Sequence, residues 1–339
     1  MTMSCLNHSG LKVRRGQCSV TLRILITGGF GFVGGRLAVH LAQAGHQIVL
    51  GSRKASSPPV WLPQADVAQI EWNDDVALEH CCYGVDVVIQ AAGMNAQECA
   101  ADPVAALAFN GLATARLVAA ASRAGVQRFI YLSTAHVYAS PLVGTITEET
   151  CPRNLHPYAT SHLVGEQAVL GASQRGQMQG IVLRLSNAFG APMYKNVNCW
   201  MLVVNDLCKQ AVQTRKHLAA PRMELRSSGM QRRNFIPIQD VSKSILFLIC
   251  LPVHYLENIP YNVGADCSPT VWEMACHIQA RCKVVLGFKP ELNRYLPKEN
   301  EQISELDFRS NRLCESGFEL GSEIDTEIDR LLMFCNAEF

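Results

Sequence analysis

The chain carries little charge, and what it carries is balanced. Asp, Glu, Lys and Arg make up 17% of 339 residues, and 30 basic against 29 acidic side chains leave a formal net charge of +1. A near-neutral chain lacks the electrostatic footprint of a partner for nucleic acid or an anionic membrane, so both are excluded as expected partners. No unbroken run of about 18 apolar residues occurs, which argues against a membrane-spanning helix. Residues 1–20 include Arg14 and Arg15 but no apolar core of a signal peptide. They read as a flexible extension, and the chain as cytoplasmic. Cysteine is plentiful, at 14 residues, yet no two stand at Cys-x-x-Cys spacing, and the adjacent Cys81 and Cys82 are not spaced as metal ligands. No metal site is expected, and a chain of this length needs no disulfide framework. The cysteines are expected to be free, mostly buried thiols with no part in function.

What is present is an ordinary globular composition, 48% apolar, long enough for roughly two domains. Thr21-Leu-Arg-Ile-Leu-Ile26 is short, β-branched and apolar on both faces, as a buried parallel strand should be. Further strands are expected at 47–50, 85–90, 127–133 and 180–185. Helical spacing follows the first strand from Leu37 to Ala42. Helices are also expected at 103–124 and 158–173. This alternation predicts an α/β, Rossmann-type doubly wound parallel sheet, with its ligand crevice at the carboxyl ends of the strands. Residues 21–186 are assigned to it. Beyond 186 the pattern turns irregular, with helices near 200–213, 241–251 and 324–334 and a strand near 234–238. Residues 187–339 read as a smaller C-terminal substrate-binding lobe, interleaved with late sheet elements at about 234–264.

The loop after the first strand, Thr27-Gly-Gly-Phe-Gly-Phe-Val-Gly34, satisfies Gly-x-x-Gly-x-x-Gly through Gly28, Gly31 and Gly34. Glycine permits the tight turn and close backbone approach to a pyrophosphate, and the helix that follows presents its first amides to the negative charge. Phe32 and Val33 lie within the loop. Strand before and helix after are the context that gives this motif meaning. At the end of the second strand stand Ser52, Arg53 and Lys54, where an NAD enzyme usually has a carboxylate for the ribose hydroxyl. Two cations and a hydroxyl suit a 2′-phosphate, so NADP is favoured, with NAD possible. Two further segments belong at the crevice. Tyr131 to Tyr138 ends a strand, and Tyr158-Ala-Thr-Ser-His162 opens a helix. Tyr158 is a candidate acid/base, and Thr134 supplies a hydroxyl beside it. His136 and His156 lie in the same segments without metal spacing.

With these motifs in this order, residues 22 to 335 resemble the extended short-chain dehydrogenase/reductase family, the NAD-dependent epimerase/dehydratase group that modifies nucleotide-sugars. The resemblance rests on the glycine loop, Gln90-Ala-Ala-Gly93, Asn110, Ser133-Thr134 with Val137-Tyr138, and Tyr158. It continues through Arg184 to Gly190, Arg233 to Ile236, and a late turn at Tyr261-Asn-Val-Gly264. It implies that Tyr158 is the acid/base and Thr134 its hydroxyl partner, and that Ala91, Ala92, Gly93 and Asn110 line the cofactor. It also implies that Asn187 and Arg233 meet the diphosphate of a nucleotide-sugar. The family's lysine, four residues after the tyrosine, is here His162, which i, i+4 spacing puts on the same helical face. A neutral imidazole can still bond the nicotinamide ribose but lowers the tyrosine pKa less than an ammonium would. The family's dehydratases resemble Thr-Asp-Glu where this chain has Thr134-Ala135-His136, so dehydration is not expected. What remains is 4-epimerisation or reduction of a keto-sugar, against the alternative of a weakly catalytic dinucleotide-binding protein. The alanine-rich helices at 103–124 and 158–173 resemble the family's dimer helices, implying a homodimer.

Overall fold

The computed structural model describes residues 20–217, 221–321 and 323–339. The expected flexible extension, apart from Val20, lies outside the described residues. Seven parallel strands form the central sheet: β1 (Arg23–Thr27), β2 (Gln47–Ser52), β3 (Asp66–Gln69), β4 (Val87–Gln90), β5 (Arg128–Thr134), β6 (Gln179–Leu185) and β7 (Tyr261–Val263). Their order across the sheet is β7-β6-β5-β4-β1-β2-β3. The order reverses between β1 and β4, and a crevice opens there beyond the strand ends.

The alternation of a pleated strand sorts β1 cleanly. Ile24 and Ile26 enter one core with Leu37 and Leu41 of the first helix, α1 (Phe32–Gln43), while Leu25 faces the opposite core with Leu117 and Phe129. Both faces are covered, which is why the strands read as continuous apolar runs. Two sequence expectations change here. β3, whose four residues are half-exposed at the sheet edge, carries no apolar run to announce it. Tyr261 to Val263, expected as a turn, pairs with Leu183 to Leu185 and is the seventh strand.

Three helices cover one face of the sheet: α2 (Asp75–Cys82), α3 (Pro103–Arg123) and α4 (Pro157–Gln174). α3 is not uniform, since its turn Leu107–Ala113 is π-helical. An 18-residue stretch of α3 has a mean hydropathy of 1.5, apolar enough by length and composition alone to cross a bilayer, as the core helix of a soluble protein also can be. Half of it is buried by the rest of the fold, and it holds Asn110 and Arg116. The later residues build a third core, in which Leu207, Met223, Phe235, Ile278 and Leu331 meet. Glu327 of the last helix, fully buried, pairs with Arg36 of α1 at 3.0 Å and accepts from the Ala191 amide at 3.1 Å. This ion pair ties the glycine-loop helix to the C-terminal residues. Eleven described cysteines are free thiols, of which six are buried, two half-buried and three, Cys151, Cys267 and Cys314, exposed. Cys250 corrects the expectation: it is disulfide-bonded.

Candidate active site

The glycine loop forms the first wall. Gly28 sits at φ +66°, and a Cβ there would lie 2.8 Å from the Ala92 amide nitrogen, so only glycine fits against the β4 loop. The Gly31 amide donates to the Gly28 carbonyl at 2.8 Å, and a Cβ at Gly34 would collide with that same carbonyl. Phe32 is buried in the sheet core and Val33 packs against it, so they anchor the turn. No side chain caps the first amides of α1, and its first turn has no acidic residue. Uncapped amides at the positive end of a helix dipole suit an anion, and the bare backbone gives a pyrophosphate room to approach. At the end of β2 the Ser52 hydroxyl accepts from the Lys54 amide at 3.2 Å, while Arg53 and Lys54 extend into solvent.

The β4 loop forms the floor. Ala91 and Ala92 are half-buried and Gly93 is open to the crevice. Asn110, on the π-helical turn, is only 1% exposed and works on the protein itself. Its Oδ1 accepts from the Met94 amide at 2.8 Å, and its Nδ2 donates to the Ser161 hydroxyl at 3.1 Å. It therefore fixes the loop that lines the crevice and ties it to α4.

Thr134, Tyr158 and His162 do come together. Thr134 ends β5, buried, with its Oγ1 accepting from the His136 amide at 3.1 Å. Its hydroxyl lies near enough to Tyr158, in the first turn of α4, to act on that phenol. Burial pushes the Tyr158 phenol up from its ordinary value, opposed by the Thr134 hydroxyl and reinforced by Cys99. One turn on, the His162 ring stands edge-to-face to Tyr158 with centroids 4.7 Å apart. Burial pulls the imidazole down to about 4, so it is neutral at pH 7. Its Nδ1 lies 2.9 Å from the Tyr131 hydroxyl, and its buried Nε2 has no partner among the described residues.

The second predicted pair lies across the irregular lobe. Asn187 starts a short strand paired with Phe235–Pro237, and its Nδ2 donates to the Asn234 carbonyl at 3.0 Å. Arg233 is half-buried and makes no ion pair among the described residues. Desolvation lowers its pKa, the mark of a cation held away from water. His136 links the two. Burial lowers its pKa first and the Arg233 charge second, with the Asn187 side chain acting in the opposite direction.

Sequence reasoning missed the scaffold of the site. Glu166, four residues beyond His162 and fully buried, accepts from Arg184 at 2.6 Å and from the Ser133 hydroxyl at 2.5 Å. The i, i+4 run Tyr158, His162, Glu166 was the available signal. Tyr131 gave none, since it reads as one more apolar residue of β5.

A UDP-glucose 4-epimerase of Azospirillum brasilense is 30% identical over 182 residues, covering 52% of this chain and 51% of that protein. The chain thus spans about half the length of this relative, and of a Kitasatospora kifunensis dTDP-6-deoxy-L-talose 4-dehydrogenase. A dTDP-D-glucose 4,6-dehydratase of Mus musculus is 26% identical over 87% of this chain and 79% of its own. The expected exclusion of dehydration is therefore unsupported, because the missing carboxylates concern two side chains and the similarity runs through most of the chain. In fold, the Thermus thermophilus UDP-glucose 4-epimerase in complex with NAD superposes with a TM-score of 0.75, at 20% identity, covering 94% of this chain and all of that one. The Pseudomonas aeruginosa protein RMD, complexed with NADPH, gives 0.74 at 23% identity, covering 94% and 100%. The family model for NAD dependent epimerases and dehydratases matches residues 24–264, from the first strand through the glycine loop and Tyr158 to the seventh strand, and the chain belongs to that family.

Proposed function

We propose that the protein interconverts a nucleotide-sugar by oxidation and reduction at a sugar carbon, as a 4-epimerase or a keto-sugar reductase. The observation that carries this reading is the meeting of Thr134, Tyr158 and His162 at the open Gly93 floor, with a half-buried Arg233 that has no ion-pair partner among the described residues. Residues 21–186 hold the dinucleotide, and residues 187–339, interleaved with the sheet at about 234–264, hold the substrate.

The glycine loop fits a dinucleotide because a Cβ would fill the space its backbone leaves. Gly28, Gly31 and Gly34 hold the pyrophosphate against the first amides of α1, and Ser52, Arg53 and Lys54 favour the 2′-phosphate of NADP. When bound, the dinucleotide supplies hydride transfer and, in its oxidised form, a positive charge in the crevice. The chain's own part is the proton. Tyr158 Oη takes it from the sugar hydroxyl on oxidation and returns it on reduction, while Thr134 holds that oxygen. Arg233, with Asn187 beside it, meets the diphosphate, because a partly desolvated guanidinium seeks paired phosphate oxygens. Exposed Val104, Leu107 and Leu112 on α3 and Val164 on α4 support a homodimer through these helices, checked by light scattering after gel filtration.

One observation favours a second reading, a dinucleotide-binding protein of weak activity. No lysine stands beside Tyr158, and its pKa is raised rather than lowered. Turnover separates the two. The purified protein is examined by mass spectrometry for retained NAD or NADP, then given UDP-, dTDP-, GDP- and CDP-sugars with products identified by NMR. An epimer or a reduced sugar supports the first reading. A dehydrated product replaces it with elimination, and binding without turnover supports the second.

A further inference from the structure

The glycine loop offers few handles by which it can be held. Of residues 28–31 only Phe30 carries a side chain, and glycine loses more backbone freedom on ordering than any other residue. Such a loop binds tightly only if its surroundings hold it in the bound shape beforehand. Phe30 is held on two sides. Its ring stands edge-to-face to Trp61, from the segment after β2, with centroids 6.3 Å apart. Its carbonyl accepts from the Tyr194 hydroxyl at 2.8 Å. The direction of that bond is fixed, since the carbonyl has no proton to give and the phenol has one.

Tyr194 lies 164 residues from Phe30, in the C-terminal lobe, and the stretch that carries it is anchored. Asn205 bonds Gly190 through both its amide and its carbonyl, at 3.2 and 2.9 Å. Ala191 is gripped by both members of the buried ion pair. Its carbonyl accepts from Arg36 Nη1 at 2.9 Å, and its amide donates to Glu327 Oε1 at 3.1 Å. Arg36 reaches both carboxylate oxygens of Glu327, at 3.0 and 3.1 Å, so the grip has a defined geometry. Two residues on, Met193 packs against α1, where a Cβ at Gly35 would lie 3.2 Å from its Cγ. Tyr194 is thus the tip of a short arm. The base of the arm is fixed on α1 and the last helix, and its end is bonded to the glycine loop.

We propose that Tyr194 is a positioning residue for the dinucleotide, acting through the Phe30 carbonyl to hold the glycine loop in its binding shape. The C-terminal lobe then sets dinucleotide affinity together with the sheet. The ligand in this inference rests on the dinucleotide reading of the glycine loop; the brace does not.

The test starts from the full chain without ligand. Amide hydrogen exchange is followed by mass spectrometry in peptides spanning 28–36, where the Gly31 and Gly35 amides bond the Gly28 and Gly31 carbonyls. Tyr194→Phe removes one oxygen and keeps the ring. It is expected to speed exchange there by about three- to tenfold, with exchange in β5 and β6 unchanged as the control for global stability. Calorimetric titration with NADP and with NAD is expected to show binding weakened by about three- to tenfold. Unchanged loop exchange in Tyr194→Phe overturns the brace; if binding weakens all the same, Tyr194 touches the ligand itself. Faster exchange with unchanged affinity shows a brace that does not position the ligand, and overturns the proposal too. If the wild type binds neither NAD nor NADP, the proposed function falls and with it the ligand assigned to the loop, while the exchange measurement still decides whether Tyr194 holds the loop.

Discussion

The Tyr158 phenol meets the edge of the His162 imidazole with ring centroids 4.7 Å apart, and neither group carries charge at pH 7. A tyrosine base works as its phenolate, and burial here disfavours that form. Turnover is therefore expected to rise with pH into the alkaline range. His162, at about 4, contributes no inflection between pH 5 and 8. His162→Lys places a cation beside the phenol and favours the phenolate, so the limb is expected to move down by about 1–2 pH units. A pH–rate profile of the variant that superposes on the wild type would show that the phenol does not govern the rate.

Tyr158→Phe removes the proton carrier and leaves the ring in place. Turnover is expected to fall by about 10²- to 10⁴-fold, with dinucleotide binding nearly unchanged. Single-turnover kinetics with calorimetry separate the two quantities. Full activity in this variant on a confirmed substrate would sink the assignment.

His162 also sets a stability slope. Its native pKa lies below its unfolded value of 6.5, so between about 4 and 6.5 the unfolded chain binds more protons than the native one. Its contribution to stability is complete above pH 6.5 and is lost as pH falls toward 4. Urea unfolding at pH 7 and 4.5 is expected to lose less stability in His162→Gln than in the wild type. Some loss persists, because burial also lowers His40, His46 and His136.

What the sequence made legible was whatever local chemistry imposes. The glycine loop is readable because Gly28 and Gly34 stand where a Cβ would strike backbone, so no other residue serves. Tyr158, His162 and Thr134 are readable from helix spacing and a strand end. Asn110 was legible as a residue of the site, but its bonds to the Met94 amide and Ser161 were not, since they join segments 16 and 51 residues away. The same holds for Tyr131 and His162, 31 residues apart, and for Glu166 and Arg184. β3 was invisible because a half-exposed edge strand needs no apolar run.

Arg233 is the test of the substrate side. A half-buried guanidinium with no ion-pair partner among the described residues has been desolvated without compensation, and a diphosphate supplies what it lacks. Arg233→Ala is expected to raise KM for the nucleotide-sugar by about tenfold or more, with a smaller change in kcat. Steady-state kinetics against the preferred sugar measure this. Arg233→Lys keeps the charge but loses the paired donors, and should recover only part of the affinity. Equal KM values in wild type and Arg233→Ala would move the diphosphate elsewhere in the lobe.

Arg53 tests the cofactor side, and its exposure makes the test clean. Arg53 and Lys54 reach into solvent and their removal disturbs no packing. If they meet a 2′-phosphate, Arg53→Asp repels that group and offers a carboxylate to the ribose hydroxyls of NAD. The ratio of NADP to NAD affinity is expected to fall by about tenfold or more, chiefly through weaker NADP binding, with unfolding midpoints unchanged. Calorimetric titration of both dinucleotides reads the ratio directly. If the ratio stays fixed, the basic turn at the end of β2 is a solvated surface, and specificity lies with Ser52 or with the backbone around it.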